Sequence, residues 1–367
     1  MQRTSLLQPH SCAAPELARN GARLARKFPP MTALTASRRA VLAGLAAAAL
    51  ARRAAAATTL RVAYIPILPM AQLFVIEAEG WAKAAGLTLA ATSFSSGPAM
   101  VQALASGRFD VAYIGIGPAL VARAHGVDLR VVAANGIDQT ALLGRGAFAA
   151  AWAKAASPAA AFAAFRKSAG RPVKIATLPK GAVPDTVLHY WLDNVAHIPA
   201  ADVQILGFGE NRLQGALLTG AVDAASTLEP ALTLVQERDP TARVLVLGGA
   251  MFPGQPGAVL AVTGALIAQQ RAAVQTLVDL HVRATALIRQ HPHRAAADLA
   301  KTMGKGLLTE ATLFKAVTSP SMDPIADPRA ILPATVKLAA YQSALDHMAP
   351  VKDVTAMFDP SFFLAAK

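Results

Sequence analysis

The chain has 367 residues, 54% of them hydrophobic and 16% charged, with 35 Lys and Arg against 22 Asp and Glu. That length suits about two domains with buried cores, and a composition led by Ala, Val and Leu excludes a disordered or low-complexity chain. The formal charge of +13 does not describe a nucleic-acid surface, because residues 1–57 hold nine basic groups and one acid, a net +8, which leaves only +5 for residues 58–367.

The first element is an address. Residues 37–44 read SRRAVLAG: Arg38 and Arg39 stand directly before the weakly apolar run Ala40–Ala51, which leads through Arg52 and Arg53 to the small residues Ala54–Ala57. A basic head, a short apolar stretch and an A-x-A end form an export signal, and the arginine pair resembles the twin-arginine type. Twelve apolar residues span about 18 Å as helix, well short of a ~30 Å hydrocarbon core, so a permanent anchor is not expected. Met31 lies seven residues before the arginine pair, so residues 1–30 read either as an upstream extension or as a misplaced start. The one cysteine, Cys12, precedes the signal. The exported chain is therefore expected to lack disulfides, thiolate nucleophiles and cysteine-bound metal.

From Leu60 onward, strand and helix alternate. Strands are predicted at Leu60–Tyr64, Leu87–Phe94, Phe109–Ile114 and Leu129–Ala134, with helices at Ala71–Ala85, Gly97–Ala105 and Gly117–Ala124. A helical stretch over 147–170 precedes a second set. Its strands are Val173–Ala176, Val203–Leu206, Val222–Ala225 and Val244–Leu247, and its helices are Pro184–Val195, Asn211–Leu218 and Pro230–Arg238. Apolar runs of this length, alternating with helices, predict buried parallel strands in doubly wound α/β sheets. After Gly257 a helical tail is expected, at Ile267–Gln290 and near 292–303, 309–318 and 332–348. Short apolar stretches at Ala141–Leu143 and Ala258–Val262 read as two connecting strands. The expected organisation is a first lobe of residues 58–143 and 258–367 and a second lobe of residues 144–257, joined by a two-strand hinge. One globule with a single long sheet is the alternative.

Three stretches together resemble a known family: FSSGPAMVQALASGRFDVAYIGIGPALVARAHG (94–126), KIATLPKGAVPDTVLHYWL (174–192) and GALLTGAVDAASTLEP (215–230). Over roughly residues 58–350 the chain is similar to the nitrate, sulfonate and taurine solute-binding proteins of ABC importers and their thiamine-precursor-binding relatives. That resemblance implies two α/β lobes of the type II periplasmic-binding-protein kind, closing over a small solute and then docking on an inner-membrane permease. It also implies a periplasmic location, and a monomer is expected.

The residues point the same way. Ligands of doubly wound sheets lie beyond the carboxyl ends of strands, where helices begin. At Ser95-Ser96-Gly97-Pro98 the serines either cap a helix or offer hydroxyls to a ligand, and Gly97 allows close backbone approach. Gly115 and Gly117 repeat the arrangement after the next strand. Helix starts of this kind attract anions. In the second lobe Lys180 and Gly181 precede a helix whose first turn holds Asp185 and Thr186. Lys180 is either a partner for an anion or a solvated loop lysine. Asp185 and Glu229 are either caps and surface charges or partners of an amine on a zwitterionic ligand. Met70, Tyr113 and Phe208 stand near predicted strand ends, as apolar cleft wall or as core.

The leading expectation is a non-catalytic binding protein for a small anionic or zwitterionic organic solute. A periplasmic ligand sensor is one alternative. An enzyme related to thiamine-precursor synthesis is another, disfavoured because that chemistry uses a cysteine-rich motif. No cofactor is expected, since a dinucleotide fingerprint is missing. His189, His197, His291 and His293 lack metal-site spacing and read as surface or packing residues.

Overall fold

The apolar runs pair into two separate five-stranded sheets, as seen in a computed structural model that describes residues 57–304 and 308–366. Arg38, Arg39 and Cys12, and with them the expected export signal, lie outside the described residues. In chain order the strands are β1 (Thr58–Tyr64), β2 (Leu87–Ser93), β3 (Val111–Gly115), β4 (Leu129–Ala134) and β5 (Ala141–Gly144). They continue with β6 (Val173–Thr177), β7 (Val203–Gly207), β8 (Ala224–Thr227), β9 (Arg243–Leu247) and β10 (Ala258–Thr263).

The first sheet has the order β2-β1-β3-β10-β4 and the second β7-β6-β8-β5-β9. Each contains one strand that runs against its neighbours: β10 is antiparallel to β3 and β4, and β5 to β8 and β9. These are the two strands that begin just after the chain passes from one sheet to the other, so each enters its sheet from the side where the lobes meet. Single-sheet architecture is thereby excluded. The expected lobe boundary at 143/144 cuts β5, whose four residues all pair within the second sheet.

Burial follows strand position. β5 and β8 in the second sheet are buried along their whole length, whereas the edge strand β2 exposes most of its residues and edge strands β7 and β9 are partly exposed. This is the pattern expected when helices cover both faces and the sheet edges meet solvent.

Helices α1 (Ala71–Ala78), α2 (Trp81–Ala84), α3 (Gly97–Ala105) and α4 (Ile116–Ala124) belong to the first sheet. The single helix predicted over 71–85 is thus two, broken at Glu79 and Gly80. In the second lobe come α5 (Gly146–Lys154), α6 (Pro158–Ala169), α7 (Val183–Asn194), α8 (Glu210–Thr219), α9 (Ala231–Arg238) and α10 (Gly248–Met251). An aromatic core of Phe148, Phe162, Phe165 and Trp191 packs edge-on under α5 to α7, with Phe148 and Phe162 centroids 5.0 Å apart. The Asp223 carboxylate accepts from the Lys174 amide at 2.9 Å and pairs with Arg171. That contact holds residues 222–223 as a turn and delays β8 to Ala224, two residues later than predicted.

The tail comprises α11 (Gly264–Gln290), α12 (Pro292–Leu299), α13 (Glu310–Val317), α14 (Leu332–Asp346) and α15 (Ser361–Leu364). Thr263 and Thr309 cap α11 and α13 by accepting the Leu266 and Thr312 amides. The tail touches both lobes. Lys315 and Thr312 of α13 bond Glu237 of α9 at 2.7 and 2.9 Å, and Tyr341 of α14 donates to Asp193 of α7 at 2.8 Å.

Candidate ligand-binding cleft

The two passages between the lobes, residues 135–140 and 252–257, are laced to one another. Asp138 N–H donates to the Gln255 carbonyl at 2.9 Å. Two glutamine side chains then reach across reciprocally: Gln255 Oε1 accepts from the Thr140 amide at 3.0 Å, and Gln139 Oε1 from the Ala258 amide at 2.9 Å. Gly257 is obligatory in this arrangement, because a Cβ there would collide with Gln139 Oε1. Gln139, Thr140 and Gln255 are all buried, and the Gln139 Nε2 and Thr140 Oγ1 atoms have no hydrogen-bond partner.

These side chains form the back of a cleft between the lobes. Its first wall is Ile65, Ile67, Pro69, Met70, Gly97, Gly115 and Pro118; the facing wall is Leu178, Ala182, Val183, Pro184 and Leu228. The free space is about 40 Å³, room for a water or so. A solute of several carbons therefore enters only if the walls stand further apart. In front of the cleft the lobes touch directly. Gly117, the second residue of α4, faces the loop before α7, and a Cβ on it would lie 2.8 Å from the Gly181 carbonyl oxygen and 3.3 Å from the Val183 nitrogen. Gln342 of α14 seals this seam, its Nε2 donating to the Gly181 carbonyl at 3.2 Å and more weakly to that of Gly117 at 3.4 Å. On another side Leu68 N–H donates to the Glu229 carbonyl at 3.0 Å.

Of the residues singled out from sequence, Met70, Gly97 and Gly115 line the cleft, and Gly117 and Gly181 meet at the seam. The others lie elsewhere. Lys180, expected to face an anion, holds its Nζ 3.5 Å from Asp346 Oδ1 beside a different cavity of about 320 Å³. Asp185 is buried in the first turn of α7 without capping it; its Oδ1 is 3.9 Å from His189 Nε2. Burial, and secondarily the Asp346 charge, push the Asp185 carboxyl up to about 7, against an opposing effect of Lys180. Thr186 donates to the Ala182 carbonyl of its own helix at 3.3 Å.

Glu229 accepts from the Thr233 amide and hydroxyl, both at 3.0 Å, and its side chain faces a separate groove along β9. That is the cap reading rather than the ligand reading. Burial raises its carboxyl above the ordinary range. Tyr113 is fully buried with its hydroxyl 3.5 Å from His281 Nδ1, and burial raises that phenol strongly. His281 Nε2 meets the Ala134 carbonyl at 2.8 Å, and burial holds this imidazole down at about 4, so it is neutral. Phe208 packs under the Arg212 guanidinium, 5.2 Å from its centroid. Ser95 is exposed, and Ser96 sits at the α3 start without a side-chain cap bond.

Sequence reasoning missed Gln139, Thr140 and Gln255, which sit in segments read only as connections. The available signal was a glutamine in each of two glycine-flanked passages, GIDQT and PGQPG.

The family model described as NMT1-like matches residues 53–304. Among curated protein sequences none matches. The fold is similar to the alkanesulfonate-binding protein SsuA from Xanthomonas axonopodis pv. citri bound to MOPS, at 20% identity and a TM-score of 0.64, over 83% of this chain and 99% of that one. It is also similar to the periplasmic nitrate-binding protein NrtA from Synechocystis PCC 6803, at 13% identity and a TM-score of 0.71, over 84% and 87% of the two chains. A third similar structure is DszB in complex with biphenyl-2-sulfinic acid, at 18% identity and a TM-score of 0.57, over 84% and 98%. Most of these neighbours are solute-binding proteins, while DszB is an enzyme.

Proposed function

Because the chain belongs to the NMT1-like family, we propose that it is the solute-binding component of an ABC importer, taking a small organic molecule between its lobes and presenting the closed form to a membrane permease. The observation that carries this reading is the cleft itself. Walls from two sheets meet at a seam of backbone contacts, and buried polar atoms without partners stand at the back. A reaction would need a nucleophile or an acid–base pair at that place, whereas the lining is aliphatic, proline, glycine and amide. Capture then works by population shift. A ligand that touches both walls favours the closed arrangement by the difference between its contacts in the two states.

Only the short passages 135–140 and 252–257 and the α13–α14 strap have to adjust when the walls part. We further propose that residues 37–57 direct export by the twin-arginine route and that the mature chain works in the periplasm as a monomer. Among the described residues no helix is long and apolar enough to cross a membrane.

Two measurements test this. Small-angle scattering of the mature protein should show a smaller radius of gyration with a bound solute than without. Thermal unfolding against a library of organic solutes should show a raised midpoint for a narrow chemical group. A particle of constant dimensions, with no stabilising compound, would overturn the assignment. Replacing Arg38 and Arg39 together by lysine should abolish export; unchanged secretion would refute the proposed route.

A further inference from the structure

We propose that the cleft selects uncharged solutes: a compact apolar body with a hydrogen-bond acceptor directed at the Gln139 amide and the Thr140 hydroxyl. This rests on the solute-binding reading and goes further by assigning the chemical class. It also departs from the anionic class expected from Lys180 and the helix starts.

Three observations carry it. The first is the pair of atoms left over at the back wall. Gln139 spends its Oε1 on the Ala258 amide, which fixes the orientation of the side-chain amide and leaves Nε2–H₂ as a buried donor. Thr140 Oγ1 is likewise buried and unpartnered beside it. Gln255, the other amide of the cleft, is already satisfied at both ends by the Thr140 amide and the Pro256 carbonyl. The open valence is therefore a neutral donor and a hydroxyl.

The second observation concerns the helix starts that an anion would use. Pro69, Pro118 and Pro184 all line the cleft and all stand in the first turn of a helix. Each puts an aliphatic ring where an N–H would otherwise be. Several remaining N–H groups are committed: Ile116 to the Gly257 carbonyl, and Asp185 and Thr186 to that of Ala182, all at 3.1 Å. These helix tips present hydrocarbon to the cleft.

The third is charge. Among the described residues no charged side chain lines the cleft. The carboxyls nearest in sequence to its walls, Asp185 beside Pro184 and Glu229 beside Leu228, are acidic, and the nearest candidate cation, Lys180, is turned to Asp346. An anion confined there would lose its hydration, gain no countercharge and meet carboxylates.

The test uses the mature protein and matched probes: methyl ketones from 2-butanone to 2-octanone, against carboxylates and sulfonates of the same chain length. Affinities are read by calorimetry at pH 8 and in parallel by thermal unfolding. Ketones are expected to bind roughly 100-fold or more tightly than their anionic counterparts. Gln139→Glu keeps the acceptor for the Ala258 amide but removes the donor, and should weaken the best ketone by about tenfold or more; Thr140→Val, of equal shape, should weaken it by roughly fivefold. Anions binding as tightly as ketones, or affinities insensitive to both variants, would overturn the neutral class while leaving solute capture standing. If neither series binds and no small molecule co-purifies by native mass spectrometry, the class assignment and the capture reading fall together.

Discussion

Gly117→Ala separates a seam closed in solution from two lobes that stand apart. The new methyl would sit 2.8 Å from the Gly181 carbonyl oxygen, 3.3 Å from the Val183 nitrogen and 3.4 Å from Gln342 Oε1. Two of these are backbone atoms, fixed by the loop before α7, so the clash cannot be relieved by a rotamer change alone. Overpacking of this kind costs about 1–3 kcal/mol, which shifts a closed-to-open equilibrium by roughly 5- to 150-fold. The spreading also lengthens the two Gln342 hydrogen bonds that span the seam. The opposite case has the opposite sign: with the lobes apart, alanine in place of glycine in a helix stabilises by up to about 1 kcal/mol. Small-angle scattering and thermal unfolding of the two proteins therefore decide the matter. A larger radius of gyration with a lowered midpoint is expected. An unchanged radius with a raised midpoint would refute the contact.

Other outcomes follow from the charges beside the cleft. Asp185 has its carboxyl raised to about 7 from an ordinary 3.8, so between those limits the folded chain holds a proton that the unfolded chain has released. Stability from this group is thus fully present at low pH and lost as pH climbs through about 7, and Glu210, raised to about 7 by burial, acts in the same direction. Asp185→Asn should flatten that decline and add up to about 4 kcal/mol at pH 8, read from urea unfolding across pH; a variant less stable than wild type at pH 8 would contradict it. Lys180→Ala should change stability by about 1 kcal/mol or less and leave solute affinity intact, because Lys180 faces Asp346 and not the cleft; a large loss of affinity would restore the sequence expectation. Glu229→Ala should cost about 1–2 kcal/mol through the lost α9 cap, measured as a lower unfolding midpoint with binding unaffected.

The alternation of strand and helix was legible because its physics is local. Leu129–Ala134 and Gly97–Ala105 have the bounds their apolar spacing predicts, and most other elements differ by a residue or two. Misplacements have long-range causes. β8 starts late because Asp223 is drawn to Arg171 and the Lys174 amide, and β5 joins the second sheet because β8 and β9 supply its partners. Glycines at 97, 115, 117 and 181 were readable as places of close approach, since no other residue type tolerates such contact.

Side-chain partners were not readable. Lys180, Asp185, Thr186 and Glu229 have the right chemistry for a ligand, yet each is engaged by a neighbour: Asp346, His189, Ala182 and Thr233 respectively. By contrast Gln139 and Gln255 looked like linker residues until two distant passages were brought side by side. Hydrophobic period and glycine placement by themselves determined two α/β lobes and the faces they turn to each other, because burial period and backbone sterics act over a few residues. Which polar groups remain free in the cleft was decided only by tertiary structure, since a hydrogen bond is satisfied by whatever the fold brings within 3 Å, however far away in the chain.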